Sequence, residues 1–243
     1  SKTNIFTNGS LFLNLIEEEE AGKYLGDTVQ IVPHVTNKIQ QKILEVGYQK
    51  DFIIAEIGGT VGDFESGSFF EAFRQFRQSN PNDVIVVMVA PVIWNATVGE
   101  FKTKPLQNSV RSLQSTGLQP DVLLCRTDRE LPDSILDKVS LLTGVSREAV
   151  FDAPDVKSIY QVPIEFYNRH IDDLICEMFH MPRNSKGVRI HRYRELVERS
   201  IDQKFSEVCV GIVGKYENCC EAYISLKEAL VHAGAHNEVQ VKI

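Results

Sequence analysis

The sequence is poor in several features that would have decided its class at once. It has no apolar run of membrane-spanning length and no signal-peptide pattern, so neither a helical membrane protein nor a secreted one is indicated. Its five cysteines (Cys125, Cys176, Cys209, Cys219 and Cys220) form no CxxC pair and no metal-ligand spacing. An odd number without a framework argues against a disulfide-stapled domain and for reduced thiols, the usage of a cytoplasmic protein. There is no excess of basic residues: the formal net charge is −7 and the pI about 5.4. That balance argues against nucleic-acid or membrane-surface partners, while leaving room for local basic pockets. There is no internal repeat and no low-complexity block beyond Glu17–Glu20, which is expected on a solvated helix face. A Walker A loop is also lacking. GIVGKYEN, at 211–218, has no first glycine of the GxxxxGK[ST] pattern and carries Tyr216 where Ser or Thr would hold magnesium.

What is present is ordinary globular material: 243 residues, 43% hydrophobic and 24% charged, enough for one large domain or two smaller ones. Residues 11–24 predict a helix stopped near Gly22 or Gly26, 28–33 a short strand, and 37–46 a helix. DFIIAEI (51–57) predicts a strand buried on both faces of a parallel sheet, and DVIVVMVAPV (83–92) a second one. Between them 68–78 reads as a helix. A helix over 105–117, a strand over 121–127, a helix over 134–144 and a short strand over 147–153 follow. This alternation predicts an α/β fold with a parallel sheet flanked by helices. Segments 165–179 and 191–201 then read as helices, separated by the polar stretch MPRNSKG. From about residue 206 a strand, a helix (221–234) and the strand EVQVKI restart the βαβ pattern, as a second α/β domain would. The expected organisation is a first domain over 1–182, a linker over 183–205 and the start of another domain over 206–243. A start on Ser1 and a finish on an unaccompanied strand pattern suggest a piece of a longer protein.

Two stretches carry chemistry. EIGGTVGDFESG (56–67) places Glu56 at the expected carboxyl end of a strand, where ligands bind in parallel α/β sheets. The glycines behind it permit a tight turn whose N–H groups face anionic oxygens. An acid holding Mg²⁺ on a phosphate ligand, beside a backbone cradle, is one expectation; Glu56 paired with a core cation is the other. Asp63 and Glu65 flank Phe64 and suit hydrogen bonds to a sugar or base, although Asp63 is equally placed to cap the following helix. EFKTKPLQ (100–107) sets Lys102, Thr103 and Lys104 ahead of a helix opened by Pro105. Free N–H groups and the helix dipole favour anions there, so two lysines and a hydroxyl suit a triphosphate; a solvated charged loop is the plainer alternative.

Taken with their neighbours, these segments resemble the CTP synthase family from about residue 3 to the end. AEIGGTVGDFES is similar to the family's VEIGGTVGDIES, KTKPLQ to KTKPTQ, and GKYLGDTVQIVPHVT to GDYLGxTVQVIPHIT. QPDVLLCRTD and DVKSIY resemble QPDILICRSD and DVDSIY. The resemblance implies a P-loop, dethiobiotin-synthetase-like amidoligase domain joined to a class I glutamine amidotransferase domain. It implies the ATP-dependent amination of UTP to CTP through a 4-phosphorylated UTP, with ammonia from glutamine. CTP would inhibit at the triphosphate site, GTP would activate, and tetramers and filaments would form. By position it implies Glu56 as a Mg²⁺-binding acid and Asp63, Phe64 and Glu65 as pyrimidine-nucleotide contacts. Lys102, Thr103, Lys104, Pro105, Leu106 and Gln107 fall in the triphosphate segment, Lys138 is a further nucleotide lysine, and Val156 lies near the adenine of ATP.

The sequence also departs from the family. Its phosphate loop, its first Mg²⁺ aspartate and its glutaminase triad have no counterpart here, so the 243 residues alone are not expected to make CTP. Basic residues ahead of YLG, in a segment linked to GTP activation, are replaced by Glu20 and Ala21, so a weakened GTP response is expected. Phe64 stands for isoleucine. His34 matches a family histidine near the domain contact and equally suits a hydrogen-bonded structural place. Two rivals accompany the enzyme: a non-catalytic subunit that binds UTP or CTP and assembles with other subunits, and a related P-loop amidoligase acting on another substrate.

Overall fold

The computed structural model describes residues 4–182, 190–201, 205–215 and 220–243. Much of the expected linker, with Tyr216 and Cys219, lies outside them. The chain divides into two compact units, Ser1–Asp152 and Ala153–Ile243.

The first unit opens on helix α1 (Asn8–Glu20), three residues earlier than the apolar period suggested. Thr7 and Ser10 exchange hydrogen bonds in a capping box, which satisfies amides that a helix start leaves free. The expected strand over 28–33 is absent. Instead Ile31–Val35 make one π-type turn leading into α2 (Thr36–Gly47). Pro33 has no N–H to donate to a ladder, and helix α2 follows at once. Helix α3 (Gly67–Ser79) packs beside α2. Leu11, Leu15, Val35, Ile39, Ile43 and Ala72 form their shared core, with Phe6, Tyr24, Phe69 and Phe73 packed against it. The acid run is not uniformly solvated. Glu18 accepts from the Tyr24 hydroxyl at 2.6 Å and pairs with Lys23 (2.8 Å) and Lys38, tying α1 to α2.

A parallel sheet flanked by helices completes this part. Strand β1 (Val87–Pro91) is followed by the antiparallel pair β2 (Ile93–Asn95) and β3 (Glu100–Lys102), then α4 (Lys104–Ser115). Strand β4 (Val122–Thr127), α5 (Asp133–Thr143) and β5 (Val150–Pro154) come next. The sheet order is β1-β4-β5, with β1 and β4 parallel and Val89 opposite Leu124. Asp121 anchors one end: it accepts from the Val86 amide at 2.7 Å and from Arg77 of α3 at 2.6 Å. Cys125 lies wholly buried in β4, and burial pushes its thiol up to about 12, which leaves it inert.

One strand expectation fails here and a second holds only in part. Residues 52–57 have no regular structure, and Ile54 is 95% exposed. A strand exists only as part of a ladder, and this segment belongs to none of the described sheets. The second apolar run contributes a strand only from Val87, with one face covered: Met88 and Ala90 are buried whereas Val89 is 61% exposed. It lies at the edge of its sheet.

In the second unit the expected helix over 165–179 is two, α6 (Val162–Asn168) and α7 (Ile171–Met178). The break is at His170, whose φ is +58. Helix α8 (Ile190–Ile201) precedes a βαβ unit of β6 (Ser206–Cys209), α9 (Ile224–Asn237) and β7 (Val239–Lys242), the two strands parallel. Among the described residues no helix is long and apolar enough to cross a membrane.

Candidate functional site

A cavity of about 200 Å³ opens in the first unit where the start of α1 meets the glycine turn and the start of α3. Its lining includes Glu56, Gly58, Gly59, Asp63, Glu65 and Phe69, with Phe6 and Thr7 contributed by the segment that leads into α1. The turn is built by backbone freedom at two positions, Gly59 with φ +91 and Gly62 with φ +101. Asp63 closes it, its Oδ2 accepting from the Thr60 amide at 3.1 Å. This differs from capping α3: Ser66 occupies the α3 N-cap, and Asp63 makes no capping hydrogen bond to the short 3₁₀ turn Phe64–Ser66 that it precedes. Glu56 is neither buried nor at a strand end, so the cost of burying it does not decide its role. Its carboxylate bends back beside Gly58, whose added Cβ would lie 3.7 Å from Oε1. Among the described residues the Glu56 and Glu65 carboxylates have no hydrogen-bond or ion-pair partner, so both are open to the cavity's contents. Phe64 is 99% exposed and does not line the cavity.

The second stretch sits at the start of α4. Pro105 lies in its first turn and Thr103 is the cap residue. Lys102 and Lys104 are exposed, whereas Thr103, Leu106 and Gln107 are buried. The Gln107 amide donates to Thr103 Oγ1 at 2.9 Å, so this hydroxyl already has an internal partner. Lys102 pairs with Glu100, whose carboxyl is held below its ordinary value first by that hydrogen bond and further by the charge of Lys138 on α5. Trp94 and Phe101 meet edge-to-face across the β2–β3 pair, their centroids 4.8 Å apart, and Arg129 lies 4.7 Å over Trp94.

Gly62 approaches Ser112 of α4, a Cβ there being 3.9 Å from Ser112 Cβ. Lys104 stands about 12 Å along the same helix at ~1.5 Å per residue. The lysines at the start of α4 and the acids of the glycine turn, which abuts the far end of that helix, are thus two patches rather than one cluster. Val156 follows β5 in the second unit and is half-buried. His34 Nδ1 accepts from the Gln30 amide at 3.1 Å and its ring meets Tyr24 edge-on, a structural place. Phe6 and Thr7 were not anticipated as cavity residues; the only cue was the polar FTNG ahead of the first apolar run.

For a magnesium ion the donor set is informative. Among the described residues no three Asp, Glu, His or Cys side chains converge to hold a metal. Mg²⁺ commonly needs only one or two carboxylates when phosphate oxygens and water complete its shell. Glu56 fits that role and does not fit an all-protein cage.

The fold defines an α/β protein with a parallel sheet flanked by helices, and the site is a glycine-turned cavity lined by acids. The family model for the CTP synthase N-terminus matches residues 1–181, and the chain belongs to the CTP synthase family. It is 43% identical over its whole length to the CTP synthase of Maridesulfovibrio salexigens, of which it covers 44%. It is 41% identical to that of Methanocaldococcus jannaschii, covering 45%, and 43% identical to that of Zymomonas mobilis, covering 44%. The chain thus spans less than half the length of these relatives.

Proposed function

We propose that this chain supplies the UTP-binding part of a CTP synthase, a ligase that aminates UTP to CTP with ATP and glutamine-derived ammonia. The observation that carries the proposal is the cavity itself, which Glu56, Asp63 and Glu65 line around the glycine turn. Glu56 would hold Mg²⁺, which when bound would neutralise phosphate charge. Asp63 and Glu65 would orient the nucleotide. Lys102, Lys104 and Lys138, at the start of α4 and on α5, would take the triphosphate, Lys102 exchanging Glu100 for phosphate oxygens. Thr103, Leu106 and Gln107 would support that patch from below rather than touch the ligand, because all three are buried. CTP, with the same triphosphate, would compete there. Val156 would lie near the adenine of ATP. The βαβ unit from Ser206 would begin a glutaminase domain, and the replacement of basic residues by Glu20 and Ala21 would weaken GTP activation. A homotetramer, extending into filaments, is the proposed assembly.

The test is calorimetric titration of the protein with UTP and with CTP in Mg²⁺, followed by an assay for CTP from UTP, ATP, Mg²⁺ and ammonia. Saturable binding of both pyrimidine triphosphates, lost on Glu56→Gln together with Lys104→Ala, is expected. Absence of binding by either nucleotide overturns the proposal. Binding without turnover would assign the chain to nucleotide capture within a larger assembly.

A further inference from the structure

One cavity wall is held by a side chain that the preceding assignments do not use. Asn8, the first residue of α1, directs its amide nitrogen to the Glu65 carbonyl at 2.5 Å. Its amide oxygen accepts from the Ser68 hydroxyl at 3.2 Å. A carbonyl can only accept, so the amide has one orientation that satisfies both bonds. Below it the Phe6 and Phe69 rings pack at 6.0 Å, and both line the cavity. On either side along the chain, Thr7 and Glu65 line it too.

We infer that Asn8 is a positioning residue whose amide clasps the start of α1 to the Glu65 loop and so sets the spacing of the cavity's two walls. The two walls are far apart in sequence, with no shared strand between them, and the apolar contact of Phe6 with Phe69 is non-directional. The amide supplies what that contact lacks: a fixed distance and a fixed angle for the backbone that carries Glu65. Loss of the clasp lets the Glu65 carboxylate and the Thr7 rim move apart while the α1–α2–α3 core stays closed. The ligand named in the test rests on the proposed function; the clasp itself rests on the geometry alone.

The deciding variant is Asn8→Asp. It keeps the acceptor for Ser68 and adds a carboxylate to the first turn of α1, which the helix dipole favours, but sets oxygen against the Glu65 carbonyl. Backbone amide exchange over residues 64–69 should quicken about 2- to 12-fold, the factor expected for one neutral hydrogen bond. The Kd for UTP with Mg²⁺ should rise by a similar factor while the melting temperature stays put. Should Asn8→Asp fail to fold, Asn8→Ser removes the reach to Glu65 and gives the same comparison. Unchanged exchange at 64–69 would refute the clasp. If the unaltered protein binds no UTP, the nucleotide assignment falls, and the exchange comparison still decides the role of Asn8.

Discussion

Leu106 and Lys104 stand two residues apart at the start of α4, and the structure gives them opposite tasks. Both fall in the segment that resembles a triphosphate site, yet Leu106 is 0% exposed and Lys104 projects into solvent. Leu106→Ala removes methyl and methylene groups from a packed core that includes Val110 and Leu113 of the same helix. Such truncations cost about 2–5 kcal/mol, combining lost transfer energy and the cavity left behind. For a chain of this size each kcal/mol lowers the melting temperature by roughly 2–4 °C, so a fall on the order of 5–15 °C follows. Well below that melt, UTP affinity should hold within about twofold, since the deleted atoms face the interior. Lys104→Ala should do the reverse. Stability should move by less than about 0.5 kcal/mol, as for other surface changes. UTP affinity should fall about 10- to 150-fold if one charge-assisted hydrogen bond of ~1.5–3 kcal/mol is lost. Differential scanning fluorimetry and calorimetry on the two variants separate these effects. A Leu106→Ala protein that melts near the parent but binds UTP tenfold more weakly would show that this side chain reaches the ligand, and the core assignment would be wrong.

Two further outcomes follow from the turn and from the acid run. Gly62→Ala meets no clash, its nearest atom being 3.9 Å away, but φ is +101. The left-handed backbone alone should cost about 1–2 kcal/mol. Gly67→Ala, at φ −56 in open space at the start of α3, should instead stabilise by about 0.5–1 kcal/mol. Equal urea midpoints for these two variants would contradict the turn geometry. Glu18 is held from its ordinary 4.5 down to about 2 by hydrogen bonds from Lys23, Lys38 and Tyr24. Its folded-state value is depressed, so its contribution is present above pH 4.5 and is lost as pH falls through about 2. The stability gap between the parent and Glu18→Gln should therefore narrow between those limits, and a gap constant with pH would refute the assignment.

Helices α3, α4 and α5 and strand β4 were legible because apolar spacing there matches what each element buries. The run Phe52–Ile57 misled for a physical reason. Composition reports what a segment is able to bury, whereas a strand requires a ladder, and this run belongs to none of the described sheets. The division at His170 left no mark in the sequence, since neither glycine nor proline stands there and both halves keep a helical apolar period. The acids of the cavity could be singled out because glycines surround them. Phe6, Thr7 and Asn8 could not, because their relation to residue 65 exists only once α1 has packed on α3. Burial of Leu106 was hidden for the same reason: a motif names a segment, and only the helix face tells which of its residues turn inward.

Helix α4 links these observations. Its inner face, with Leu106, Val110 and Leu113 buried, cannot slide without uncovering the core. Its first turn carries Lys104, and its Ser112 faces the glycine turn that orients Asp63. Helix geometry sets Lys104 about 12 Å from Ser112, beside which the glycine turn is seated. On the other side of the cavity the start of α1 is tied to the Glu65 loop by the Asn8 amide, beside the packing of Phe6 on Phe69. A cavity bounded by a glycine turn that abuts a core helix and by a clasp of two hydrogen bonds should vary in width through the clasp. Substitutions around Asn8 and Ser68 are accordingly the ones expected to tune affinity without unfolding the protein.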